Sequence, residues 1–164
     1  MPSNRRQFLA VAGTGTAAFA LFGCRGAAIA APETFEVTMT DAQWGKKLSP
    51  DAYDVLRHEG TERPFSSPLN SEHRAGIFSC VGCALPVYSS KTKFESGTGW
   101  PSFWAPLPNA VKTKSDSSLL TERTEVHCRR CGGHLGHIFD DGPKPTGKRY
   151  CMNGVALSFK PGAA

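Results

Sequence analysis

The sequence predicts a small, mainly β domain with short N-terminal helices, and three observations carry that reading. At 164 residues the chain has room for one domain and a short appendage. Two helix-start signals follow one another closely, at Thr40 and Ser49. Beyond Gly60, Gly, Pro, Ser and Asn recur every few residues and separate short runs rich in aromatic and β-branched side chains. A composition of 40% hydrophobic and 20% charged residues suits a folded soluble domain and argues against global disorder.

Taken in order, Thr40-Asp41-Ala42-Gln43 has the form of a capping box and predicts a helix from Asp41 to about Lys47. Ser49-Pro50-Asp51 is the second start, with Pro50 suited to the first helical position. That helix carries Ala52, Val55 and Leu56 on one side and ends near Gly60. The expected strands are Gly76–Cys80, Leu85–Tyr88, Thr124–Cys128, Leu135–Phe139 and Val155–Lys160. No internal repeat accompanies them apart from a doubled Cys-x-x-Cys.

The first 30 residues read as an address rather than as part of the domain. Arg5-Arg6, with Phe8-Leu9 close behind, opens an otherwise uncharged, mildly apolar stretch to Gly23. That order resembles a twin-arginine export signal and predicts an exported, periplasmic protein whose domain spans 31–164. Ala28-Ile29-Ala30 fits cleavage before Ala31. Leu21-Phe22-Gly23-Cys24 is a competing lipoprotein-type site, which would anchor the chain to the membrane through Cys24. The charge agrees with this division. Of 19 Lys and Arg, three (Arg5, Arg6 and Arg25) precede Glu33, so the net charge of +5 falls to +2 in the body. A nucleic-acid-binding reading thereby loses its main support.

Cys80-Val-Gly-Cys83 and Cys128-Arg-Arg-Cys131 each form a clasp able to hold one edge of a tetrahedral ion. Together they predict one structural Zn²⁺ per chain, with Gly82, Gly132 and Gly133 easing the turns. Two disulfides, or two redox-active dithiols, are the competing readings of the same pairs.

Three further groups are candidates for chemistry. Cys151 lies in Arg149-Tyr-Cys-Met-Asn153, where an extended chain turns Arg149, Cys151 and Asn153 to one face. A guanidinium beside a thiol favours the nucleophilic thiolate, and Asn153 adds a hydrogen-bond donor; a buried structural cysteine is the alternative. His134 and His137 face opposite sides of a regular strand, but Gly136 permits a bulge that aims both into one site. There they can accept or donate protons; as core or surface histidines they would not. His58, His73 and His127 have no such context. In Gly97-Thr-Gly-Trp100-Pro-Ser-Phe103-Trp104 the aromatics are candidates to line a shallow apolar pocket or to pack in the core.

In combination these segments resemble the methionine-R-sulfoxide reductase B family. The resemblance runs from about Phe35 to Lys160. It takes in Gly60-Thr61-Glu62-Arg63-Pro64-Phe65, both clasps, Ser96–Phe103, His134–His137, Asp141-Gly142-Pro143 with Pro145-Thr146-Gly147, and Arg149–Asn153. It implies two small antiparallel sheets stapled by zinc, and reduction of the R epimer of methionine sulfoxide, peptide- or protein-bound, in repair of oxidative damage. It implies Cys151 as nucleophile, His134 and His137 as proton donors, and Arg149 and Asn153 as activating or positioning groups. Trp100 would receive the substrate methyl group. Thr98 stands where many members carry a resolving cysteine. The resemblance therefore implies a one-cysteine enzyme, regenerated by a thioredoxin-like protein or a small thiol. A non-enzymatic zinc-stapled binding module and a thiol–disulfide oxidoreductase are the rival functions.

Overall fold

A computed structural model describes residues 33–118 and 121–164. The expected export segment 1–30, including Arg5-Arg6, both cleavage sites and Cys24, lies outside the described residues.

Both predicted helices form, because their termini are satisfied locally. Helix α1 spans Asp41–Lys47, and its capping box is complete: the Gln43 N–H donates to Thr40 Oγ1 while the Thr40 N–H donates to Gln43 Oε1. Helix α2 spans Pro50–His58, with Ser49 Oγ accepting from the Ala52 N–H. It stops at Glu59, whose left-handed backbone (φ 58°) turns the chain two residues before Thr61. Ala52, Val55 and Leu56 are buried, as their spacing predicts.

Two antiparallel sheets follow. The smaller has the order β2-β1-β9, with β1 Gly76–Cys80, β2 Pro86–Ser89 and β9 Leu157–Pro161. The larger has the order β3-β4-β8-β7-β6-β5. Its members are β3 Lys93–Phe94, β4 Ser102–Phe103, β5 Val111–Asp116, β6 Arg123–Cys128, β7 His134–Phe139 and β8 Arg149–Met152. The five expected strands are all present, and all but the last start at or next to the predicted residue. The last begins at Leu157, not Val155, since Gly154–Ala156 form a 3₁₀ turn. Strand β5 carries no apolar alternation (Val-Lys-Thr-Lys-Ser-Asp) because it lies at the sheet edge, and β3 and β4 are only two residues long.

The core is where the sheets meet. Phe78 on β1 and Tyr88 on β2 close on Phe103 of β4, with Tyr88 and Phe103 stacked at 4.3 Å and Phe78 edge-on to Phe103 at 5.0 Å. The buried Tyr88 hydroxyl donates to the Met152 sulfur at 3.0 Å. The two cysteine clasps tie β1 to β6, since Cys80 ends the first strand and Cys128 the second. Each clasp closes through matched turn bonds, from the Ala84 N–H to Cys80 O and from the Gly132 N–H to Cys128 O. The left-handed residue after each clasp is Ala84 in one and Gly132 in the other.

Candidate active site

Strands β7 and β8 build the site by their register. His137 lies directly opposite Cys151, Phe139 opposite Arg149, and Ser102 of β4 flanks Cys151 on the other side. Cross-strand partners project from the same face, so the thiol and the imidazole share one surface. The anticipated bulge is present. Val126 pairs with Gly136 and His127 with His134, leaving Leu135 without a partner residue. It brings the rings of His134 and His137 to 5.2 Å. Gly136 is required here twice over: its φ is +154°, and a Cβ would sit 2.1 Å from the Cys151 carbonyl oxygen.

Cys151, His137, Trp100 and Asn153 line one small pocket of about 120 Å³, together with Phe139, Thr61, Gly136 and Arg123. His134 sits behind His137 and is 2% exposed. Its Nδ1 bonds to the buried Glu125 carboxylate at 2.8 Å, and its Nε2 is buried without a partner. Phe103 is fully buried in the core beneath the site and forms no part of the pocket wall. Trp100 thus lines the pocket, whereas Phe103, expected to bind substrate beside it, packs in the core instead. His127 is buried against Glu33, and His58 packs edge-on to Tyr53.

The electrostatics differ from the simple expectation of a thiol activated by Arg149. Burial pushes the Cys151 thiol up, and the hydrogen bond from Thr98 and the Arg149 charge only partly offset it. Arg149 lowers the thiol pKa by charge and by hydrogen bond, and it also holds a two-pronged ion pair with Asp141, at 2.8 Å on both oxygens, with its guanidinium 4.4 Å over the Phe139 ring. The Asp141 charge opposes thiolate formation. Burial therefore favours the neutral form of Cys151, while the Arg149 guanidinium beside it favours the thiolate.

His137 is held the opposite way. Burial lowers its pKa, while Asp116 raises it through a 2.7 Å bond to Nε2. That bond assigns the Nε2–H tautomer to the neutral ring. Asp116 also accepts from Arg123 at 2.7 Å. Hydrogen bonds from Ser118, His137 and Arg123 keep its carboxyl well below the usual carboxylate range.

Asn153 brackets two segments while also lining the pocket. Its Oδ1 accepts from the Glu62 N–H at 3.0 Å and its Nδ2 donates to Leu135 O at 3.2 Å. The Glu62 carboxylate caps the next turn, accepting from the Gly154 N–H (2.6 Å) and the Val155 N–H (2.9 Å). The Glu62 carbonyl takes the Trp100 Nε1–H at 3.1 Å. Glu62 thereby joins Trp100, Asn153 and the end of β8. Reading the sequence by local pattern missed Asp116, Arg123, Glu125 and the structural role of Glu62, none of which has a distinctive neighbour in sequence.

Thr98 Oγ1 lies 3.8 Å from Cys151 Sγ and 2.9 Å from Ser96 Oγ, which in turn lies 2.7 Å from Ser102 Oγ. A row of hydroxyls therefore runs to the thiol.

The four clasp cysteines converge on one point, with all their sulfurs within 4.8 Å of one another. The sulfurs lie 3.7 Å apart in Cys80–Cys131 and 3.4 Å apart in Cys83–Cys128. None of them is disulfide-bonded. Four thiolates about a tetrahedral ion, with metal–sulfur bonds of about 2.3 Å, are separated by about 3.8 Å. The cluster therefore fits a closed four-coordinate metal site, and two separate dithiols do not describe it.

The comparisons agree with this geometry. A SelR domain model matches residues 48–161. The chain is 52% identical over 125 residues to a peptide methionine sulfoxide reductase MsrB of Methanosarcina barkeri, covering 76% of this chain and 88% of that protein. It is 50% identical over 127 residues to the MsrB of Pseudomonas putida, covering 77% and 96%. The MsrB of Agrobacterium fabrum is 47% identical over the same length, covering 77% and 94%. With a domain match over most of its length, relatives at about half identity, and the thiol and metal cluster in place, the chain belongs to the SelR domain family of peptide methionine sulfoxide reductases.

Proposed function

We propose that this chain reduces the R epimer of methionine sulfoxide, carried in a peptide or protein, using Cys151 as nucleophile. The observation that carries the reading is the direct pairing of Cys151 with His137 in a pocket walled by Trp100. The Cys151 sulfur attacks the sulfoxide sulfur as its proton leaves, the S–O bond breaks, and the oxygen passes to Cys151 as a sulfenic acid. Methionine leaves with two fewer oxidation equivalents at sulfur. In this reading His137, as imidazolium, donates to the departing oxygen, and Glu125-bound His134 lies next to it. Trp100 offers an apolar wall to the sulfur-bound methyl group. A sulfur held by both methyl and oxygen presents only one epimer to Cys151. A thioredoxin-like protein or two equivalents of a small thiol then reduce the sulfenic acid, releasing water and a disulfide. With Thr98 beside Cys151, no thiol of this loop competes for that step.

The metal proposed for Cys80, Cys83, Cys128 and Cys131 is zinc, since an all-thiolate closed site suits it. Its role is to staple the two sheets. The proposed site of action is the cell envelope, reached through the Arg5-Arg6 signal.

The test uses zinc-loaded protein, dithiothreitol, and separate R and S epimers of a methionine sulfoxide peptide. Reduction of R alone is expected, lost in Cys151→Ser with metal content unchanged. Activity retained in that variant, or equal turnover of S, would overturn the reading. Turnover of neither epimer by folded, metal-loaded protein would favour a binding module instead.

A further inference from the structure

The Cys151 pocket is small for a ligand site. Its volume of about 120 Å³ lies below the roughly 300–1,000 Å³ of ordinary ligand pockets, enough for the end of one side chain. Beside it lies a groove of about 590 Å³, and Thr61 belongs to the walls of both. The groove is built on the segments that make the site. Gly154 and Val155, which directly follow Asn153, form part of its floor, and Glu62 and Arg63 stand in its wall. Asp51, Asp54 and Val55 of helix α2 line it as well.

We propose that this groove holds the polypeptide flanking the oxidised methionine and favours a Lys or Arg side chain there. The inference rests on the reductase reading above. A peptide whose methionine end enters the Cys151 pocket must carry its backbone over an adjoining surface, and the groove adjoins at Thr61. Its chemistry then selects. Val55, Leu69 and Leu157 supply apolar lining, while Asp51 and Asp54, one helical turn apart on α2, put two exposed carboxylates at its margin. The Glu62 carboxylate is already bonded to two backbone N–H groups, and Arg63 is the groove's one basic residue. An apolar lining with an acidic margin matches a long aliphatic stem with a cationic head.

The experiment compares R-sulfoxide pentapeptides with Lys, Ala or Glu flanking the oxidised methionine, and a small blocked methionine sulfoxide as reference. The full-length, metal-loaded protein and its Asp51→Asn/Asp54→Asn double variant are assayed. Rates are expressed as kcat/KM ratios within each protein, so that a change in folded fraction cancels. The wild-type protein should prefer the Lys peptide over the Glu peptide by about threefold at low salt, the scale of an exposed charge pair. High salt or the double substitution should bring the ratio close to one. A wild-type ratio of one or below, or a preference unchanged in the double variant, would overturn the groove proposal while leaving the reductase intact. Failure to reduce any of the R-sulfoxide peptides as well as the small reference sulfoxide would instead overturn the reductase reading, and the groove proposal with it.

Discussion

His137 and Cys151 occupy the same register position on adjacent strands, and Asp116, from the edge strand two places away, holds the far nitrogen of that imidazole. The imidazole thus bonds a carboxylate and lines the same pocket as the Cys151 thiol. Asp116 raises the His137 pKa against the lowering effect of burial. If imidazolium is the proton donor, activity falls as pH rises through that pKa. Asp116→Asn removes the raising charge, so the alkaline limb of the kcat profile should move to lower pH. An unmoved limb in the variant would remove His137 from the donor role. The same carboxylate has a stability consequence. Its folded pKa is depressed, so its contribution is complete above the ordinary Asp value of about 3.9 and is lost as pH falls through the lower folded value.

Thr98→Cys should convert the one-cysteine site into a two-cysteine one. Thr98 Oγ1 is 3.8 Å from Cys151 Sγ, so a thiol there starts within about 2 Å of disulfide bonding distance. One equivalent of R-sulfoxide, without reductant, should leave the variant with a disulfide between the introduced thiol and Cys151. The wild-type protein should instead hold a sulfenic acid that dimedone traps. Mass spectrometry of the intact protein separates the two products.

Gly136→Ala should be among the costly single substitutions. The added Cβ meets the Cys151 carbonyl at 2.1 Å on a backbone whose φ of +154° already disfavours it. Strain and overpacking together suggest a loss of about 3 kcal/mol, read from the urea midpoint at unchanged slope. A variant as stable as the parent would mean that the β7–β8 contact relaxes freely.

Removal of the clasp metal should unfold the domain without any direct effect on the chemistry. Cys80 and Cys128 end strands of different sheets, and the cluster joins them. A strong chelator, or Cys128→Ser, should lower the thermal midpoint and expose four thiols to alkylation in the first case. Intact melting behaviour in metal-free protein would contradict a structural role.

What was legible in the sequence follows from how far apart the interacting residues lie. The helices were legible because Thr40 with Gln43, and Ser49 with Ala52, satisfy their own termini within one turn. The clasps were legible because two ligands of one ion stand three residues apart. Strand β5 was not, since its Lys-rich edge needs no apolar alternation, and the turn at Gly154–Ala156 was hidden because Glu62, 92 residues earlier, supplies its hydrogen bonds.

By itself the sequence determined a small β domain with two capped helices, a four-cysteine cluster, and a short menu of reactive side chains with Cys151 at its centre. Only the tertiary structure decided which of those side chains meet. It set His137 opposite Cys151, sent Phe103 into the core, turned Asn153 into a bracket, and neutralised part of Arg149 with Asp141. The physical reason is range. Capping and metal clasping are satisfied between near neighbours along the chain, whereas burial, strand register and charge pairing depend on residues that only folding brings together.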